Sequence, residues 1–271
     1  MVTDCYFWHE GNGNKGSCEV ATCLLLYLKK LAEMGIKKTV TLFCDRCSRQ
    51  NNKFVVIMLS IAMELFKFEE LGVNYLISGH SHTENDNAHS TIEDNVRNEH
   101  VYTTDDWALK ISNAFKKNEV NIMRPTYGDF FDFKKIPQFA GFLRGRLTYK
   151  DSATSTTFVK WTKIMQLKFL KGDPTTMYFK YSYGSDKFEK VDLIKDQALT
   201  TSSGRTNIVD SIKSIDELPK CYKAPPGVNK NKLKDLKTLC EKNHILPCYH
   251  HFYESLPSGR AVEPDIDQEY A

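Results

Sequence analysis

Apolar and polar positions alternate between two periods over the first hundred residues. Val20, Cys23, Leu24, Tyr27, Leu28 and Leu31 recur at helical spacing, with Ser17 placed to cap the helix and Gly35 to end it. Thr39-Val40-Thr41-Leu42-Phe43-Cys44 is a β-branched, largely apolar run, the pattern of a buried central strand. Lys53 to Phe68 predicts a second helix, Val73-Asn74-Tyr75-Leu76-Ile77 a strand, and Asp86 to Arg97 a third helix. With Cys5–Trp8 as a leading strand, the order βαβαβα predicts an α/β fold with a mostly parallel sheet. Right-handed crossovers then bring the Cys44 and Ile77 strand ends to one edge of that sheet.

The pattern changes beyond residue 100. Asp105 to Lys117 predicts an amphipathic helix and Val120–Met123 a short strand. Val159, Trp161, Met165, Leu167 and Phe169 then stand among lysines and other polar residues. Met177, Phe179, Tyr181 and Tyr183 alternate with Thr176, Lys180 and Ser182 after a Gly172-Asp173-Pro174 turn, and Phe188–Leu193 adds a third strand. An antiparallel meander follows from this, apolar on one face and lysine-bearing on the other. Lys232 to Asn243 predicts a C-terminal helix, with Leu233, Leu236, Leu239 and Cys240 on one side. The implied organisation is an α/β core over 1–118, a β-rich extension over 119–219, and a linker, helix and tail over 220–271.

Composition narrows this picture modestly. Hydrophobic residues at 41% and charged residues at 26% are ordinary for a globular protein, and a net charge of +3 means that any basic surface is local. No apolar run is long enough to span a bilayer, and the first residues lack the pattern of a signal peptide. The eight cysteines are scattered through apolar segments and read as reduced thiols of an intracellular protein.

The candidate chemistry sits at two strand ends. One is Cys44-Asp45-Arg46-Cys47-Ser48-Arg49-Gln50-Asn51-Asn52, and the other is Gly79-His80-Ser81-His82-Thr83-Glu84-Asn85-Asp86-Asn87-Ala88-His89. Ligands and metals gather beyond the carboxyl ends of the strands in α/β sheets. Asp86 and His89 stand three apart, so a helix presents them on one face. Asp45, Asp86, His89 and His82 are therefore candidate metal ligands, and Asp45, Asp86 and Glu84 candidate catalytic acids. Gln50 and Asn51 are placed to contact a phosphate. Lys160, Lys163, Lys168 and Lys180, with Trp161 or Tyr181 nearby, would give nucleic acid a phosphate-tracking and stacking surface.

These motifs carry a resemblance. The series Trp8-His9-Glu10, Gly16-Ser17-x-Glu19-Val20, Asp45-x-Cys47-x-x-Gln50-Asn51 and Gly79-His80-x-His82-x-Glu84-x-Asp86-x-x-His89 resembles a family of transposable-element-derived proteins of animal genomes related to DDE transposases. The likeness continues through Lys234-Asp235-Leu236, Cys240, Ile245-Leu246-Pro247 and Phe252-Tyr253. It implies an RNase H-like fold and Mg²⁺- or Mn²⁺-dependent phosphodiester chemistry on DNA. Asp45 would be the second acid, and Asp86 or Glu84 the third. An intracellular, nuclear place of action goes with it.

The departures matter as well. The chain starts just before the Trp-x-Glu motif, so the first two strands and the first acid of such a fold are expected to be missing. Arg49 replaces the family's glycine. The expectation is a remnant of a DDE-type transposase or nuclease without cutting activity, its sheet completed by a second copy or an upstream segment. Two other readings stand beside it, a non-catalytic nucleic-acid-binding protein and a metallohydrolase of small phosphate esters.

Overall fold

The computed structural model describes residues 2–35, 38–47, 50–77, 83–116, 118–152, 155–194 and 212–259. In chain order the elements are β1 Val2–Tyr6, α1 Ser17–Glu33, β2 Thr39–Cys44, α2 Lys53–Phe66, β3 Glu70–Tyr75, α3 Glu84–Val96, α4 Thr104–Ala114, β4 Glu119–Met123 and α5 Ala140–Arg144. There follow β5 Thr148–Lys150, β6 Thr156–Phe158, β7 Gln166–Leu170, β8 Asp173–Lys180, β9 Glu189–Asp192, β10 Val228–Asn229, α6 Lys230–Glu241, α7 His250–Ser255 and β11 Ser258–Gly259. The fold is α/β, with four separate sheets among the described residues. The described chain divides into two compact units, each assembled from discontinuous stretches.

The first unit takes residues 16–77 and 131–220, as far as they are described. Its sheet runs in the order β2-β3-β7-β8-β9. β2 and β3 are parallel, with Cys44 opposite Tyr75, whereas β3, β7, β8 and β9 pair antiparallel. The expected meander therefore forms, but it extends the β2–β3 pair into one mixed sheet. A mostly parallel sheet does not form, and the boundary read near residue 118 cuts across this one. The physical reason is connection length: β7, β8 and β9 follow one another through short turns, which allow only antiparallel neighbours.

Helix α2 covers the inner face of the sheet. It packs on β3, β7 and β8, and α1 packs on it. Ten of its fourteen residues are buried, so the helix is apolar nearly all round rather than on one stripe. Leu71, Val73, Leu167, Phe169, Met177 and Phe179 alternate along the strands to meet it, each nearly or fully buried. Asn52 caps α2, its side chain accepting from the Phe54 and Val55 amides. Lys67 ends the helix in the left-handed conformation, φ 54°. At α1 the N-cap is Gly16, not Ser17, which is the first helical residue and is buried.

The second unit takes residues 2–15, 83–130 and 221–259 among those described. β1 pairs parallel with β4, and Asn121 donates to Asp4 Oδ1 at 2.8 Å. α3 packs on α4, where Asn95 donates to the Lys110 carbonyl. Cys240, Ile245 and Tyr253 form a small core with Tyr102, Leu236 and Phe252 around it. The Tyr253 hydroxyl donates to the Tyr102 carbonyl.

Candidate functional site

The β2–α2 corner folds its polar residues inward. After Cys44 the chain turns so that the Gln50 and Asn51 amides both donate to the Cys47 carbonyl, at 3.0 and 2.9 Å. Arg46 reaches back to donate to the Thr162 carbonyl at 2.6 Å, and the Asn51 side-chain amide donates to the Trp161 carbonyl at 3.3 Å. Lys53, at the first turn of α2, donates to the Leu143 and Gly145 carbonyls at 3.2 and 3.0 Å. Burial holds that ammonium below the usual lysine range. The loop is thereby fastened to the segment leading into β7 through backbone carbonyls rather than through ion pairs.

Among the described residues three buried oxygens of this unit have no hydrogen-bond partner: Gln50 Oε1, Asn51 Oδ1 and the Tyr75 hydroxyl. Tyr75 lies beside Cys44 in the β2–β3 register and is fully buried. Its phenol is pushed up from the ordinary tyrosine value, first by burial and then by the nearby Cys44 and Cys47 thiols. Burial, with Cys47 and Asp45 adding, likewise pushes the Cys44 thiol up to about 12, so Cys44 stays protonated at neutral pH. That removes it as a thiolate nucleophile. Asp45 itself is exposed at the carboxyl end of β2, where the sequence pattern puts it. Tyr75 and Lys53 were not singled out by sequence reasoning; a lysine opening an apolar helix is the signal that was available for the second.

The second motif behaves differently. Asp86 is the N3 residue of a capping box on α3: its Oδ2 accepts from the Thr83 amide at 2.7 Å and from Thr83 Oγ1 at 2.8 Å, and the Asp86 amide donates back. The carboxylate read as a catalytic acid and metal ligand thus closes a helix end. Glu84 and His89 are exposed on the same helix, none of whose residues is buried. His80 and His82 lie outside the described residues. Asp45 belongs to one unit, and Glu84, Asp86 and His89 to the other. Among the described residues no three His, Cys, Asp or Glu side chains come together to hold a metal ion.

Residues 3–143 match a domain of unknown function, DUF7869, and that stretch is more than half of the chain. The chain belongs to this family. No curated protein and no solved structure matches it. The DUF7869 region contains Trp8-His9-Glu10, Asp45 and the Gly79–His89 motif, and so spans both units. Its Trp8-His9-Glu10 element is a self-bonded loop. The Trp8 indole donates to the Gly13 and Asn14 carbonyls, His9 Nδ1 accepts from the Gly11 amide, and Glu10 pairs with Lys232 at 2.5 Å.

The lysine set is divided by the structure. Lys168 pairs with Glu70 at 2.9 Å, and Lys180 donates to the Tyr183 and Ser185 carbonyls. Both ammonium groups stand over the Phe188 ring, 4.8 and 5.0 Å from its centre. They fix the loop before β9 instead of facing solvent as phosphate contacts. Trp161 is buried against Phe142 and cannot stack on a base, whereas Lys160 and Lys163 are exposed. A different set converges nearby. Arg146, Lys150, Lys187 and Lys190, with the rings of Tyr149 and Phe188, line an open groove of about 510 Å³ between β5 and β9. Glu189 and Asp192 also line it, and Glu189 pairs with Lys187 at 2.9 Å. Arg146, Lys150 and Lys190 have no carboxylate partner among the described residues, so the groove is net positive. Only tertiary packing of β5 against β9 assembles it, and no local sequence signal announces that.

Proposed function

We propose that this chain is a transposase-derived domain of RNase H-like descent that binds nucleic acid and does not cut it. The observation that carries the binding half is the β5–β9 groove. Three cations without carboxylate partners flank two rings, the combination that follows a phosphate backbone while bases stack. Phe188 is positioned in the groove wall by the two ammonium groups against its ring. The descent is supported by the β2–α2–β3 unit, which carries an exposed acid at the carboxyl end of a strand. The loss of cutting is supported by the capping role of Asp86, whose carboxylate is engaged by Thr83. Two-metal phosphoryl transfer needs acids on both sides of the ion pair.

A small phosphate ester is the weaker reading, because the groove is open rather than enclosed. Fluorescence anisotropy with single-stranded DNA and RNA tests the proposal. Lys150→Glu with Lys190→Glu should weaken binding by at least tenfold, about 1.4 kcal/mol. A nuclease assay with Mg²⁺ or Mn²⁺ should show no cleavage that Asp45→Asn removes. Unchanged affinity in the double variant, or Asp45-dependent cleavage, would overturn the reading.

A further inference from the structure

The five-stranded sheet treats its two edges differently. β9, at one end of the strand order, reads Glu189-Lys190-Val191-Asp192, and its charges deter a further strand. β2, at the other end, reads Thr39-Val40-Thr41-Leu42-Phe43-Cys44, with no charge, no proline and no break in its register with β3. The Cys44 carbonyl accepts from the Leu76 amide at 2.8 Å. Backbone direction alternates along a strand, so Val40, Leu42 and Cys44 turn their N–H and C=O groups toward β3. Thr39, Thr41 and Phe43 turn theirs outward, and among the described residues no strand pairs with them. The side chains of these three residues are exposed too, Phe43 to 60%.

We propose that β2 pairs antiparallel with β2 of a second copy of this chain, joining two five-stranded sheets into one. The charges at the strand ends select this occupant. Lys38 precedes the strand and Asp45 follows it, and both are exposed. Arg46 makes no ion pair with Asp45 among the described residues; its Nη2 instead donates to the Thr162 and Ile164 carbonyls. An antiparallel pair centred on Thr41 brings the Asp45 end of each strand to the Lys38 end of the other, whereas a parallel pair brings like charges together.

The same register sets Thr39 opposite Phe43 on the exposed face and Val40 opposite Leu42 on the inner one, both favourable cross-strand pairs. Each outward residue then exchanges both backbone bonds with its counterpart. A two-fold axis through Thr41 makes the contact self-complementary and closed.

Sedimentation equilibrium of the full chain over about a hundredfold concentration range tests this. The wild type should dimerise as concentration rises. Thr41→Pro removes an outward N–H, which a sheet edge tolerates, and should be monomeric throughout with an unchanged circular dichroism spectrum. Asp45→Lys should weaken dimerisation roughly threefold to tenfold, the size expected of exposed ion pairs made twice. Adding Lys38→Asp to Asp45→Lys should restore it. If Thr41→Pro fails to fold, the charge reversals decide. A monomer at every concentration, a dimer indifferent to these changes, or a dimer that the double reversal does not restore would overturn the proposal.

Discussion

Helix α2 buries ten of its fourteen residues, whereas α3 buries none of its thirteen. Both are preceded by polar motifs that look like sites. At α2 the polar residues go inward: Asn51, Asn52 and Lys53 are all buried and bonded to backbone. At α3 they stay outside, and the acid that looked most chemical closes the helix end. The difference teaches that density of titratable residues marks a helix start as readily as a reaction centre. What distinguishes the α2 corner is the cost of burial, since each inward polar group must find a partner or remain unsatisfied.

That contrast can be broken at several points. Lys53→Met keeps the length of the side chain but leaves the Leu143 and Gly145 carbonyls without their donor. It should cost about 2 kcal/mol of stability, seen as a lower denaturant midpoint at unchanged m-value. A loss below roughly 0.5 kcal/mol would mean that the corner is not held as described.

Asp86→Ala should cost about 1 kcal/mol locally, seen as faster hydrogen exchange in α3. Asp86→Asn retains a carbonyl acceptor for Thr83 and should keep most of the protection. A metal ligand would be lost equally in both variants, so equal effects would restore the site reading.

Tyr75→Phe removes a buried hydroxyl that has no partner among the described residues. It should be neutral or stabilising by up to about 1 kcal/mol, and a clear destabilisation would show that the hydroxyl is satisfied in solution.

The smallest effect concerns His9. Burial holds its imidazole below the ordinary value of 6.5, and its Nδ1 accepts a backbone bond that protonation would remove. The folded pKa is depressed, so the contribution is present above about 6.5 and is lost as pH falls below it. Melting temperature should therefore drop more between pH 7.5 and 5.5 in the wild type than in His9→Asn. Equal drops would place the acid sensitivity elsewhere.

Much of the first unit was legible because its signals are local. The apolar runs of β2 and α2 and the alternation through β8 fix those elements without long-range help. Thr83-x-x-Asp86 and Thr103-x-x-Asp106 are capping-box spacings, so the structural role of Asp86 was readable from the sequence, yet the surrounding histidines drew it toward metal chemistry. The mixed sheet was less legible, since nothing in the β7 sequence says that Leu167 pairs with Val73. The groove was not legible at all. Arg146 and Lys190 are far apart in the chain, and β5–β9 packing brings them together. Burial of Trp161 and the hold of Lys168 and Lys180 on Phe188 come from long-range packing too, whereas Lys160 and Lys163 stay exposed.

The central claim is that the β5–β9 groove follows a nucleic-acid backbone. The salt dependence of single-stranded DNA binding tests it most directly. Each phosphate neutralised in a single strand adds about 0.7 to the slope of log affinity against log salt. The account predicts affinity falling steeply with salt, with Lys150→Ala and Lys190→Ala each making the slope shallower by about that amount. Affinity that holds as salt rises, or slopes that neither variant changes, would contradict it.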